Sequence, residues 1–421
     1  MSRFFQTSFA FLLCAALGSA STSAHADTKN DPPYDARRDR LEGLDKADLA
    51  RLDPYLARGP VALVEFADSD ADALPAINIA VRVHAPAPVL ERIVTQPAGY
   101  PRFMPALDAV NIVDKHGNAI VYDWSFDLAL LQMSGRNVMT IYPSSPARPG
   151  AGLRVTIDSE QGDLGRGRYL LRVLPVSEHD SVLVLSMRLD LRQANYVARQ
   201  LAKAARAVNR SANLALAFSM ALHFRAEAEA RAGVHATAAA RATDIARPTF
   251  DLKALAPLLD RGDLIVLDAS GGRLDQLSVL AAVDAKQKRV HSAVRDARSF
   301  GEALVPGGSA QVVSETGNVT LFDWDIDLPL VGVSGRMRMD DSDPLVSIDA
   351  TQGAMRGGKW RFELAPLGKH ATLITGWARF DFANSTWLLE KLIKADPYLG
   401  HGISAASEVM LVRALRSRAT E

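Results

Sequence analysis

The sequence predicts an α+β protein made of two tandem copies of one unit, each an antiparallel sheet wrapped around a long C-terminal helix. Three observations predict it. Segment 123–136 (DWSFDLALLQMSGR) matches 323–336 (DWDIDLPLVGVSGR) at eight of fourteen positions. Apolar residues alternate with polar ones through several runs of each copy, the two-residue period of a half-buried strand. Each copy also closes on a long helical stretch. The repeat extends outward: Leu49–Gly59 resembles Leu252–Gly262, and Ile157–Gly162 matches Ile348–Gly353. A period near 200 residues means duplicated domains, since solenoid repeats run to about 20–50 residues.

The first copy spans 41–232 and the second 248–421. The small, polar segment 233–247 between them reads as a linker. Each copy opens with a short helix, Lys46–Ala57 or Leu252–Asp260. Strands follow at Val61–Phe66 and Ile77–Val83, then a short helix near Pro88, a residue tolerated in a first helical turn. In Tyr122–Leu128 the side chains of Trp124 and Phe126 share one face with Leu128, while Asp123, Ser125 and Asp127 share the other. Tyr169, Leu171 and Val173 alternate likewise, as do Trp360, Phe362 and Leu364. Leu183, Leu185, Met187 and Leu189 form a face matched by Ile374, Gly376, Ala378 and Phe380. His116-Gly-Asn118 and Thr316-Gly-Asn318 read as tight turns, and Gly162–Arg168 as a glycine-rich hairpin. The last helices are expected from Ala194 to about Arg231 and from Ser385 to about Arg418. Tyr196 and Trp387 open them, and Asp396-Pro-Tyr-Leu-Gly400 breaks the second.

The N-terminus reads as a secretory signal: Arg3, an apolar run from Phe9 to Gly18, and Ala24-His25-Ala26 as the cleavage pattern, with residues 1–26 removed. The apolar run is shorter than the roughly 20 residues of a spanning helix. Cys14, the only cysteine, lies within it, so the exported chain would hold no disulfide, thiolate metal site or cysteine nucleophile. The expected location is the periplasm or the medium. Ala212–Phe224, interrupted by Asn213, Ser219 and His223, reads as a buried helix and not a membrane span.

Composition narrows the chemistry. Lys plus Arg and Asp plus Glu both number 48, a balance that argues against nucleic acid as partner. The nine histidines include no pair at metal-ligand spacing, and no Gly-x-Ser-x-Gly elbow is present. No cofactor or metal is expected. Asp123 and Asp323 recur opposite Arg136 and Arg336 and are read as ion pairs on the outer face of the sheet.

The string Ala85-Pro-Ala-Pro-Val-Leu-Glu-Arg-Ile-Val followed by Tyr100-Pro-Arg-Phe-Met-Pro105 resembles the opening of START-like (Bet v 1-like, SRPBCC) domains. More narrowly, it is similar to their polyketide cyclase and coenzyme-Q-binding branch. The second copy keeps only Phe300 and Pro306 of the Tyr-Pro-x-Phe-Met-Pro string. The resemblance implies two tandem helix-grip domains, each enclosing an apolar cavity for a lipid, sterol, quinone or polyketide. The expected partner is then a hydrophobic small molecule or lipid, with transient membrane contact as an option. Cavity-lining candidates are Trp124, Phe126, Tyr169, Met187, Leu189 and Tyr196 in the first copy. Those of the second are Trp324, Ile326, Trp360, Phe380 and Trp387. A carrier, a cyclase- or dehydratase-type enzyme using the same cavity, and a structural module with filled cores all remain open at this level, because fold does not fix function.

Overall fold

The computed structural model describes residues 41–66, 76–128, 131–144, 152–163, 165–190, 206–235, 237, 240–301, 308–326, 333–342, 344–382, 385 and 387–421. The signal segment and Tyr196 lie outside them.

In the first copy, helix α1 (Lys46–Leu56) precedes strands β1 (Val61–Glu65) and β2 (Ile77–Val83), then helix α2 (Ala87–Val94) and a 3-10 turn at Pro97–Arg102. Six strands follow: β3 (Leu107–His116), β4 (Ala119–Leu128), β5 (Leu131–Tyr142), β6 (Leu153–Gly162), β7 (Arg166–Pro175) and β8 (Ser181–Asp190). Helix α3 (Arg206–Arg231) ends the copy. The second repeats the order with α4 (Leu252–Leu259), β9 (Gly262–Ser270), β10 (Arg273–Val283), α5 (Gln287–Arg295) and a 3-10 turn at Ala297–Phe300. Strands β11 (Gly308–Thr316), β12 (Val319–Ile326), β13 (Val333–Ser342), β14 (Leu345–Gly353), β15 (Lys359–Leu367) and β16 (Ala371–Arg379) follow, then α6 (Trp387–Ala395) and α7 (Pro397–Thr420).

The local chemistry explains these boundaries. Asp45 caps α1 in a reciprocal box with Asp48. Gly117 and Gly317 take φ of 58° and 60° at the tips of the β3–β4 and β11–β12 hairpins, where a side chain would be strained. The break expected at Asp396 is a new helix start. Its carboxylate accepts from the backbone N–H groups of Tyr398 and Leu399, and Pro397 occupies the first turn.

The two copies share one antiparallel sheet of 16 strands, in the order β11-β12-β13-β14-β15-β16-β10-β9-β1-β2-β8-β7-β6-β5-β4-β3. The seam is the β1–β9 pair, in register Val61 with Val266, Ala62 with Ile265 and Leu63 with Leu264. Aligning Leu49–Gly59 with Leu252–Gly262 makes Ala62 and Ile265 equivalent, so the pairing has a local two-fold axis. Its polar contacts obey the same symmetry. Arg58 donates to Asp268 at 2.6 and 2.8 Å, and Arg261 donates to Glu65 at 2.6 Å. Gly59 and Gly262 bracket the seam. A Cβ on either would lie 2.2 Å from the backbone oxygen of Leu267 or Val64.

At the seam both faces of the sheet are covered, which is why Val61–Val64 of β1 and Leu264–Leu267 of β9 read as unbroken apolar runs. On one face Leu52, Leu56, Leu255 and Leu259 from α1 and α4 pack on Val61, Leu63, Leu264 and Val266. On the other, a single continuous core holds residues of both copies, including Phe218 and Phe224 of α3 with Val409 and Leu415 of α7. Helix α3 lies against β2 and β8, α7 lies against β10, and the two helices pack on each other. They cross closely at Gly402, where a Cβ would meet the Ala215 carbonyl at 2.4 Å.

Candidate functional site

The repeated motif is a two-faced strand pair. Trp124 of β4 stands opposite Gly135 of β5, and Trp324 of β12 opposite Gly335 of β13. Each indole lies over its glycine: a Cβ on Gly135 would come within 2.6 Å of Trp124, and one on Gly335 within 2.9 Å of Trp324. On the outer face, Arg136 donates to both oxygens of Asp123 at 2.6 and 2.9 Å, and Arg336 to Asp323 at 2.7 and 2.9 Å. The bidentate guanidinium holds each carboxyl below the usual aspartate range. These aspartates are therefore occupied in strand pairing. Asp127 and Asp327, the other repeated acids, have no described side chain.

The inner face of the first copy forms a cavity of about 110 Å³ between the sheet and α3. Trp124, Phe126 and Tyr169 line its sheet wall, Leu216 and Met220 its helix wall, and Met104, Leu107 and Val110 its rim. Trp124 and Tyr169 are buried, whereas Phe126, Met104, Leu107 and Met220 are half-buried, so the cavity communicates with the surface along that side. Beneath the rim, Tyr100, Phe103 and Phe224 pack with ring centroids 5.2–5.9 Å apart. The Tyr100 hydroxyl donates to the Val94 carbonyl at 2.5 Å and ties the 3-10 turn to α2.

One corner of this cavity is polar, and the second copy supplies part of it. Asp396 joins Ser219 and His223 in the lining. Ser219 Oγ donates to Asp396 Oδ2 at 2.8 Å, and His223 Nε2 lies 3.0 Å from Asp396 Oδ1. The Tyr398 ring meets the His223 imidazole edge-on at 4.9 Å. Burial alone would raise the Asp396 carboxyl. The contacts to His223, Ser219 and the Leu399 N–H outweigh it and hold the group below the usual range. At the opposite wall, Asn137 Nδ2 donates to the Tyr122 hydroxyl at 3.1 Å. Burial pushes the Tyr122 phenol up to about 12, with the Asn137 contact opposing it. The other amide atom of Asn137 and the Trp124 indole N–H are buried with no hydrogen-bond partner. Buried polar atoms are usually paired, and both of these residues line the cavity.

Of the residues expected at a cavity, Trp124, Phe126 and Tyr169 line this one. Met187 and Leu189 are fully buried on the inner face of β8, in the core. Trp324, Trp360 and Phe380 are buried on the inner face of the second copy, where Trp360 meets Phe380 edge-on at 5.3 Å. Ile326 is half-buried beside them. Trp387 begins α6, its side chain lying outside the described atoms. Sequence reasoning missed Ser219, His223, Asp396 and Asn137. The signal for the first two was present: Ser219 and His223 are four apart and share a helix face in an otherwise apolar run.

No family model and no curated protein matches this chain. Among solved structures it is similar to the di-domain ARO/CYC StfQ from the steffimycin biosynthetic pathway, at 12% identity over 82% of this chain and 98% of that one, with a TM-score of 0.28. It is similar to the di-domain ARO/CYC BexL from the BE-7585A pathway at 14% identity, over 82% and 99% of the two chains, with a TM-score of 0.27. Human STARD10 matches at 13% identity over 47% of this chain and 84% of that one, with a TM-score of 0.33.

Proposed function

We propose that the protein is an exported binding or transfer protein for a hydrophobic molecule, in the class of a lipid, sterol, quinone or polyketide. The observation that carries this reading is the apolar cavity of the first copy, which leaves polar atoms of Asn137 and Trp124 unpartnered at its walls. Pockets for drug-sized molecules span about 300–1,000 Å³, so 110 Å³ accommodates one portion of such a ligand, the rest leaving past the half-buried rim. Export rests on the Arg3, apolar and Ala-His-Ala pattern. The tandem organisation, with units at 41–232 and 248–421, rests on the repeat, and the helix-grip form of each unit on the resemblance carried by 85–105. Organic extraction of the purified full chain followed by mass spectrometry tests the reading. A stoichiometric hydrophobic molecule, reduced in Trp124→Ala, supports it; a chain that carries none and takes up none from a panel of lipids, quinones and sterols refutes it.

A second reading is favoured by one feature, the His223–Asp396 pair in the cavity wall. A carboxylate that orients an imidazole in a water-poor site is the usual arrangement for general acid–base work. A cyclase- or dehydratase-type enzyme would convert the extracted molecule, or a close analogue, and lose that conversion in His223→Gln while still binding it.

A further inference from the structure

Helix α7 carries Glu408 on its inner stripe, one residue before the buried Val409 and four before the buried Val412. The side chain is wholly buried, and among the described residues neither carboxyl oxygen has a hydrogen-bond partner. Among the described residues no charged group shifts it; desolvation pushes its carboxyl up, to about 8. The first copy has no counterpart. Aligning β8 with β16 through Ser181 and Thr372, whose hydroxyls bond the equivalent carbonyls of Ala85 and Ala285, places Ala217 at the position of Glu408. The same alignment places Leu185 at the position of Gly376. The exchange is concerted: a Cβ on Gly376 would lie 3.0 Å from Glu408 Oε1, so the missing side chain is what admits the carboxyl. Val279 and Phe362, paired with Gly376 on either side, are both wholly buried.

An apolar pair would fill this position at no electrostatic cost, as Ala217 and Leu185 do in the first copy. A buried carboxyl with no partner costs free energy, a cost that a bound molecule exchanging hydrogen bonds with it would offset. We infer that the interior of the second copy is a separate binding site, in which Glu408 exchanges hydrogen bonds with a hydroxyl or carbonyl oxygen of a neutral apolar molecule. A neutral carboxylic acid offers one donor and one acceptor, which suits a hydroxyl group. A cationic ligand would add its own desolvation penalty to that of the buried carboxyl.

The inference rests on the hydrophobic-ligand reading for its tail chemistry but not for its location. The full chain is equilibrated by dialysis with dodecan-1-ol or dodecane at pH 6.5, and bound molecules are counted by gas chromatography. Dodecan-1-ol is expected to bind at least tenfold more tightly than dodecane at one site. Glu408→Leu should remove that site and its preference for the alcohol. Glu408→Gln, which keeps a donor and an acceptor, should retain it. Affinity for the alcohol should fall as pH rises through about 8 in the native chain and stay level in Glu408→Gln. If both copies bind, Glu408→Leu lowers the count from two to one; if only the second binds, it falls from one to none and the first-copy reading fails alone. An unchanged count in Glu408→Leu, or equal binding of alcohol and alkane by the native chain, overturns the inference.

Discussion

The two copies keep the same outer motif and differ at the centre. In both, an aspartate and an arginine close across one face of a strand pair while a tryptophan settles over a glycine on the other. Beneath the terminal helices they diverge. The first copy buries Ala217 and Leu185 at the equivalent positions and opens an apolar cavity with a polar corner. The second sets Glu408 against Gly376 and buries an unpaired acid. Duplication held constant what shapes the sheet and released what faces the interior, so the two interiors differ in chemistry.

The sharpest way to break this comparison is to move the acid. Ala217→Glu buries a carboxyl in the first copy, where Leu185 stands at the position of Gly376, and is expected to cost about 3–5 kcal/mol in urea unfolding, the range for an uncompensated buried charge. Adding Leu185→Gly should restore part of that loss. Full tolerance of Ala217→Glu alone would show that Gly376 is not what admits Glu408. Next in size, Gly135→Ala and Gly335→Ala each drive a methyl into an indole. Each should cost about 1–3 kcal/mol, with a shift in tryptophan emission; a cost in only one copy would mean that the shared motif is not equally strained.

The pH response should also divide the copies. Glu408 binds its proton more tightly in the folded chain than in the unfolded one, with a pKa of about 8 against an ordinary 4.5. Stability is therefore expected to fall as pH rises between these values, at about 1.4 kcal/mol per pH unit, because the unfolded state releases the proton first. Thermal unfolding of the native chain and of Glu408→Gln checks this: the contribution should vanish in the variant, and parallel curves would contradict it. The smallest effect is expected on the outer face. Asp123→Asn and Asp323→Asn remove exposed ion pairs worth about 0–1 kcal/mol, so both melting curves should move little.

Much of the framework was legible because it follows from local rules. Period-two alternation marked β4, β7 and β8, glycine marked the hairpin tips, and Asp396-Pro397 marked a helix boundary. The shared sheet was not legible, since nothing in an apolar run such as Val61–Val64 says whether its neighbour comes from the same copy or the other. The polar corner was hidden for a related reason. His223 and Asp396 lie 173 positions apart, and each had a sufficient local explanation, one as an interruption in a buried helix and the other as part of a helix break. Glu408 was missed although Gly376 had been noticed: the space left by a glycine is visible in sequence, but the residue that fills it belongs to another element.

The seam between β1 and β9 has a consequence beyond architecture. Its two-fold register, with Arg58–Asp268 answered by Arg261–Glu65, is the geometry by which two identical molecules would meet in a homodimer. Covalent linkage through 233–247 makes that encounter intramolecular, at an effective concentration of about the millimolar range. Each partner is then always present in equal amount, and one can change its interior without the other following. A homodimer could not hold Ala217 on one side of the axis and Glu408 on the other, because one gene would write both; the fused chain can.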